Sequence, residues 1–306
     1  KYGTSMEDNL INKGAVSWIR RYLIVTLRIL TWVALGIFVS ACSSKQEEID
    51  KTDNGIEVSS GNDSYKVPRD SYGHPDLNGL WQAMGSAHWD LEAHAARKGP
   101  VVLMGALGAI SAGMSVVEGG EIPYQPWARE QQQENLTNWL SRDPAVKCFM
   151  PGIPRATYMP FPLQIVQGED QILISYEFAS ASRVVYMNRP DFEHPFEAWM
   201  GHSRGRWEGE TLVINVTSHV PDTWFDTSGN FHSEELRVEE RYTRIDENLL
   251  QYEATIHDPK VFTQSWKIRL PLYRRQEPNA QLLEFKCVEF AEELMYGHLI
   301  KKTKGS

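Results

Sequence analysis

With 306 residues, 42 % of them hydrophobic, the chain is long enough for one large domain or two small ones and apolar enough to bury a core. Its formal net charge is −9, and its strongest basic cluster is the C-terminal set Lys301, Lys302 and Lys304. Neutralising a phosphate backbone takes a basic stripe that this composition does not supply, so nucleic acid is excluded as a partner.

The chain opens on a basic segment carrying Lys13, Arg20, Arg21 and Arg28, followed by the apolar run Ile29 to Ala41, interrupted only by Thr31 and Ser40. That run is shorter than the roughly 20 apolar residues that cross a bilayer, which favours a secretory signal over residues 1–41. An uncleaved anchor helix over Ile19 to Ala41 is the alternative, and the body is exported in either case. The run ends in Val39-Ser40-Ala41-Cys42, which resembles the lipobox of bacterial lipoproteins. The resemblance implies cleavage before Cys42 and acylation of its thiol. It places the protein on a bilayer of the cell envelope, facing the periplasm, at the outer rather than the inner membrane.

Residues 43–70 are rich in Ser, Lys, Glu, Asp, Asn and Gly and bury too little to order themselves. With Cys42 they read as an acylated, flexible tether with a reach of about 30 Å. Residues 71–306 then form a single β-rich domain with a helical insertion around 86–141. Gly79-Leu80-Trp81 opens its first strand. Val101 to Val117 is seventeen residues without a charge, six of them Gly or Ala. It is either a loop or flap that touches a membrane or a buried core segment. Trp127 to Ser141 predicts a helix, started by Pro126 and stopped by Asp143-Pro144.

From Gln164 onward short strands alternate with turns: Gln164 to Gln167, Gln171 to Phe178, Arg183 to Met187, Gly205 to Glu208 and Thr211 to Thr217. Later strands show period two. Leu236, Val238 and Tyr242 oppose Arg237, Glu239 and Arg241; Leu250 to Ile256 and Trp266 to Leu272 continue the pattern, and Gln281 to Val288 is a last strand. The fold class is mainly β: an antiparallel meander forming a barrel or curved sheet, with a few helices in the N-terminal half. Phe290 to Met295 is a short terminal helix. Glu239, Arg241, Glu253, Lys267 and Arg269 share one strand face, either a solvated exterior or a charged lumen.

With Cys42 assigned to lipid, Cys148 and Cys287 are free to pair in an oxidising compartment. Closing that loop would contribute about 5 kcal/mol on chain entropy, and two buried thiols are the alternative.

Polar and aromatic residues are densest between Asp191 and Ser233, where four of nine histidines lie, His194, His202, His219 and His232. Asp226 and His232, separated by a Thr-Ser-Gly-Asn turn, are candidates for an orienting carboxylate and an acid/base imidazole, with His202 nearby in sequence. The bland alternative has Asp226 capping backbone amides and His232 exposed. Arg206 and Arg241 are candidate anion holders, and Trp224 and Trp207 candidate pocket walls. His202, His219 and His232 with Asp222 or Asp226 lack the spacing of a known metal motif, so no metal is expected. No Gly-x-Ser-x-Gly or cofactor motif is present.

Gly79-Leu80-Trp81 and Gly205-Arg206-Trp207 resemble the Gly-x-Trp that opens a lipocalin barrel, where an arginine from the last strands covers the tryptophan; Arg274 or Arg275 is placed for that part. A longer resemblance rests on Gly119-Gly120-Glu121-Ile122-Pro123-Tyr124-Gln125-Pro126-Trp127, Ser203-Arg204-Gly205-Arg206-Trp207-Glu208-Gly209, Gly229-Asn230-Phe231-His232-Ser233 and Glu292-Glu293-Leu294-Met295-Tyr296-Gly297. These strings are similar to those of a large group of exported bacterial proteins, a likeness that brings no activity with it. The reading expected from the residues is a lipid-anchored protein that binds a hydrophobic small molecule or converts it without a cofactor, as a lyase, isomerase or hydrolase. The alternative is a non-catalytic envelope protein with a partner-binding surface.

Overall fold

The computed structural model describes residues 65–99, 102–190 and 195–288, all within one compact unit, Asp63–Ser306. Cys42 with the leader, most of the tether, Asp191, His194 and the expected helix at Phe290 to Met295 lie outside the described residues. Ordered contacts begin ahead of residue 71: Asp70 accepts from the amides of Tyr72 and His74 and from the side chain of Gln167.

Among the described residues nine strands close into a barrel: β1 (Gly79–Ala83), β2 (Leu163–Gln167), β3 (Gln171–Tyr176), β4 (Ser182–Met187), β5 (His202–Glu208), β6 (Thr211–Thr217), β7 (Arg237–Asp246), β8 (Leu249–His257) and β9 (Trp266–Arg274). Closure is made by β1 against β9, with Trp81 opposite Arg274 and Ala83 opposite Leu272, so neither strand is left as an open edge. All neighbours are antiparallel except β4 and β5, which run parallel with Val185 opposite Ser203. A parallel pair cannot be joined by a hairpin, and residues 188–201 supply the crossover. The meander expected from the sequence is therefore interrupted once.

Alternation decides which side chains enter the barrel. Val238, Glu240, Tyr242 and Arg244 on β7, Leu250, Tyr252, Ala254 and Ile256 on β8, and Trp266, Ile268, Leu270 and Leu272 on β9 are buried together. Each large apolar side chain moved out of water contributes about 1.5–3 kcal/mol, and a small barrel is filled by such side chains. Glu239, Arg241, Glu253, Lys267 and Arg269 face outward, which settles the side of the charged face. Cross-strand pairs lie there, such as exposed Arg269 with the largely covered Glu253 at 2.5 Å.

The Gly-x-Trp at β1 has a specific partner. The Arg274 guanidinium lies 4.5 Å from the Trp81 ring centroid and donates to the Asn78 carbonyl. Gly79 has φ +137°, and a Cβ there would stand 2.9 Å from Arg274 Nη1, so only glycine lets the arginine cross at that point.

Two segments differ from expectation. Helix within the insertion is confined to α1 (Pro126–Thr137) and α2 (Trp139–Arg142), with a further turn α3 (Arg155–Tyr158) before β2. Apart from a 3-10 stretch at Val102–Gly108, the described residues between 86 and 125 are irregular. They are held by bridges such as His94 with Gly113 and Val117 with Ile268. The uncharged run at 101–117 is a mixed case: Ile110 and Val117 are buried, whereas Leu107 and Met114 are 91 % and 89 % exposed. Residues 281–288 form no strand, because β1 already occupies the edge of β9. That segment instead packs Phe285 against Phe161 and Phe178 and carries Cys287 into a disulfide with Cys148.

Candidate functional site

The connection between β6 and β7, residues 218–236, carries Asp226, His232, Trp224 and His219. Its core is the turn from Asp226 to Asn230, which α1 holds: Gln132 Nε2 donates to the Ser228 carbonyl at 2.6 Å and Asn135 Nδ2 to the Gly229 carbonyl. Gly229 has φ +81° and lies so close to α1 that a Cβ would stand 2.6 Å from the Asn135 Cβ. The helix docks through buried amides rather than an apolar stripe, which is why its sequence shows little helical periodicity.

Asp226 and His232 are not hydrogen-bonded to each other. Asp226 is fully buried, and its carboxylate accepts from the Leu91 amide, the Asn230 amide and Asn230 Nδ2. His232 is 4 % exposed; its Nε2 lies 2.6 Å from Thr223 Oγ1, and its Nδ1 donates to the Ser233 carbonyl at 2.8 Å. The expected pairing is thus corrected. Asp226 turns back onto residues 90 and 91, as a capping carboxylate does, while His232 turns the other way and is buried rather than exposed. Burial, with Asp90 adding repulsion, pushes the Asp226 carboxyl up to about 8, outweighing the three N–H donors that favour its charged form. Burial lowers His232 as well.

The remaining sequence candidates scatter. His202 opens β5 and its Nε2 stands 3.2 Å from the Phe196 carbonyl, away from Asp226. Arg206 and Arg241 lie on the outer face, already engaged by carboxylates: Arg206 by Glu208 at 2.7 Å and Glu239 at 3.3 Å, Arg241 by Glu208 at 2.9 Å. Neither stands in the cavity described below. Trp207 stacks on His74 at 5.1 Å, and Trp224 is buried against Phe231 through a bridge, so both pack the shell of the barrel. His219 is fully buried beside His232, ring centroids 6.0 Å apart, and burial lowers it to about 3. Neither of its ring nitrogens has a hydrogen-bond partner of good geometry, although the Leu236 carbonyl is near enough to favour the charged form slightly. Among the described residues no three His, Cys, Asp or Glu side chains are placed to hold a metal ion.

The barrel interior holds a polar network that the sequence reading missed. Arg183 of β4 and Glu240 of β7 form a two-pronged ion pair, Nη1 to Oε2 at 2.5 Å and Nη2 to Oε1 at 3.1 Å. Glu240 Oε1 also accepts from Tyr242 and Tyr252, and Arg183 Nε donates to Tyr176. Burial alone would depress the guanidinium, but the Glu240 charge holds it well above its ordinary value. This network is satisfied internally and leaves no group free for a ligand.

An accessible cavity of about 570 Å³ lies instead where β1 leaves the barrel. Ala83 to Trp89 form one wall, Ser111 to Val116 the second, and Arg269 to Pro271 of β9 the third, with Tyr158 at the base. Apolar groups dominate: Met84, Ala87, Trp89, Ala112, Met114, Val116, Leu270 and Pro271. Tyr158 gives its hydroxyl to the Phe225 carbonyl and so presents a ring rather than a free donor. His88 is held neutral, burial and the nearby Arg155 lowering it to about 4. Its Nδ1 is buried without a hydrogen bond, although the Gly85 backbone stands near enough to favour the charged form slightly. Residues 83–89 and 111–116 carry no strong periodicity, so nothing in the sequence marked them as cavity walls. A second hollow of about 480 Å³, lined by Glu197, Glu234, Glu235, Arg237 and His257, is mostly polar.

Comparison of the chain with protein-family models, with curated proteins and with solved structures gives no match.

Proposed function

We propose that the protein is an envelope-anchored binding protein for a small, predominantly apolar molecule, held in the cavity between β1, residues 111–116 and β9. The observation that carries this reading is a volume of about 570 Å³, within the range of small-molecule sites, walled by methionine, alanine, tryptophan and leucine around a few polar groups. Met84 and Met114 at its rim are 67 % and 89 % exposed, and flexible thioethers suit a mouth that adapts to ligands of varied outline. A neutral His88 brings hydrogen-bonding capacity without a charge that an apolar ligand would have to desolvate.

The anchor is the acylated Cys42 implied by the lipobox. Metabolic palmitate labelling of the full chain in a bacterial host tests it, with Cys42→Ala expected to abolish incorporation and release the protein from membranes. Ligand capture is tested by titrating the purified domain with N-phenyl-1-naphthylamine. Saturable fluorescence enhancement is expected for the natural sequence, and Ala112→Trp, which fills the cavity from an exposed position, is expected to weaken it at least tenfold. Equal enhancement in both proteins would place the probe elsewhere and remove the reading.

A further inference from the structure

Ser86 and Gly113 line the cavity, and His94 stands behind them. His94 and Gly113 are locked together by a pair of backbone hydrogen bonds, each amide donating to the other's carbonyl. A Cβ on Gly113 would collide with Ser86 Oγ and would lie within 3.0 Å of both Cε1 and Nε2 of His94. The serine hydroxyl and the imidazole edge therefore converge on one small space that exists because residue 113 has no side chain. The imidazole is also oriented: Nδ1 stands 2.9 Å from the Glu92 carbonyl, which can only accept, so Nδ1 carries the proton and Nε2 the lone pair. That Nε2 is buried and has no hydrogen-bond partner.

Resting on the reading of this cavity as an apolar-ligand site, we infer that Ser86 and His94 form a nucleophile and general base that cleave an ester of an apolar acyl group bound there. Ser86 follows Gly85, whose φ is +154°, in a bend shortly after β1, and the Ser86 carbonyl accepts from the amides of Trp89 and Asp90 in the turn that follows. The next two amides, of Ala87 and His88, make no hydrogen bond among the described residues. Amides directly after a nucleophile are common donors to a developing oxyanion. Ser86 Oγ attacks the ester carbonyl carbon as its proton passes to His94 Nε2. The tetrahedral oxyanion collapses, the C–O bond to the alcohol breaks, and His94 returns its proton to the departing alkoxide. Water, deprotonated in turn by His94, attacks the acyl-serine, releases the carboxylic acid and restores Ser86. Oγ and Nε2 are not hydrogen-bonded in the free protein, and such contacts commonly tighten only when substrate fills the site.

The test uses the purified domain, p-nitrophenyl octanoate and a fluorophosphonate. Saturable hydrolysis is expected, with a single fluorophosphonate adduct on the peptide containing Ser86. Ser86→Ala and His94→Gln are each expected to lower kcat/KM by about 100-fold or more at an unchanged melting temperature. Gly113→Ala is expected to act similarly by filling the shared space. Absence of hydrolysis, an adduct on another residue, or full activity in Ser86→Ala would overturn the inference. N-phenyl-1-naphthylamine binding separates the two levels: binding retained without hydrolysis removes the dyad and leaves the cavity reading standing, whereas loss of both removes both.

Discussion

Arg183 and Glu240 lie 57 residues apart in the chain, on β4 and β7, and meet inside the barrel as a buried, two-pronged ion pair with side chains 2 % and 0 % exposed. Tyr176, Tyr242 and Tyr252 direct their hydroxyls at the same pair, and the Tyr242 hydroxyl also stands 3.3 Å from Thr157 Oγ1. Removing one charge leaves the other buried and uncompensated, which costs about 3–5 kcal/mol. Glu240→Gln is therefore expected to destabilise by that amount in urea unfolding. The double variant Arg183→Met, Glu240→Leu should recover part of the loss, because neither member of the pair is left charged without the other and only neutral hydroxyls lose bonds, those of Ser203, Tyr176, Tyr242 and Tyr252, with Tyr242 keeping Thr157. A double variant less stable than either single one would show that the pair is not the organising element.

This pair also marks where sequence reading stopped. The alternation of β7 to β9 is plain in the chain, since apolar and charged residues take opposite faces, and the barrel follows from it. Glu240 sits between Val238 and Tyr242, on the apolar face, and Arg183 two residues before Val185, each an exception to its own strand. Two exceptions of opposite sign cancel only once the sheet has closed. Asp226 and His232 misled in the opposite way: five intervening residues suggest contact, but α1 clamps the turn so that the two side chains diverge. Beyond Ala83 at the end of β1, the cavity walls at residues 84–89 and 111–116 are irregular backbone fixed by single bridges, turns and side-chain bonds, for which no periodic signal exists.

Buried Asp226 makes the stability of the fold depend on pH. Its carboxyl titrates near 8 in the fold against 3.8 as the ordinary value, so folding takes up a proton between those limits. The contribution is fully present below about pH 4 and is lost as pH rises through 8. Between pH 6.5 and pH 8.5, above the range in which buried His88 and His219 act in the opposite sense, stability measured in urea should fall by about 2 kcal/mol, and Asp226→Asn should remove most of that fall. An unchanged slope in the variant would assign the pH dependence to other groups.

The Cys148–Cys287 disulfide spans 139 residues and ties the segment after β9 to the chain just after α2. On chain entropy it stabilises by up to about 5 kcal/mol. Unreduced protein should weigh 2 Da less than the thiol form by mass spectrometry, and Cys287→Ser should lower the urea midpoint and steepen the transition, because the denatured chain without its 139-residue loop exposes more surface. Strand content by circular dichroism should be unchanged, since residues 281–288 contribute no strand to the barrel.

Trp81 and Arg274 close one end of the barrel, and Gly79 is the residue that permits it. Alanine at position 79 meets two penalties: a φ of +137°, which a side chain rarely adopts, and a Cβ 2.9 Å from the guanidinium that covers the indole. The first costs about 1–3 kcal/mol, and the second displaces a cation from a tryptophan face, worth about 1–2 kcal/mol when partly desolvated. Gly79→Ala should therefore destabilise more than Arg274→Met, which keeps the backbone unstrained and loses only the cation and its bond to the Asn78 carbonyl. Near-ultraviolet circular dichroism, sensitive to the setting of a buried indole, should change in both variants. A Gly79→Ala protein as stable as the natural one would mean that β1 reaches Trp81 by a different backbone path.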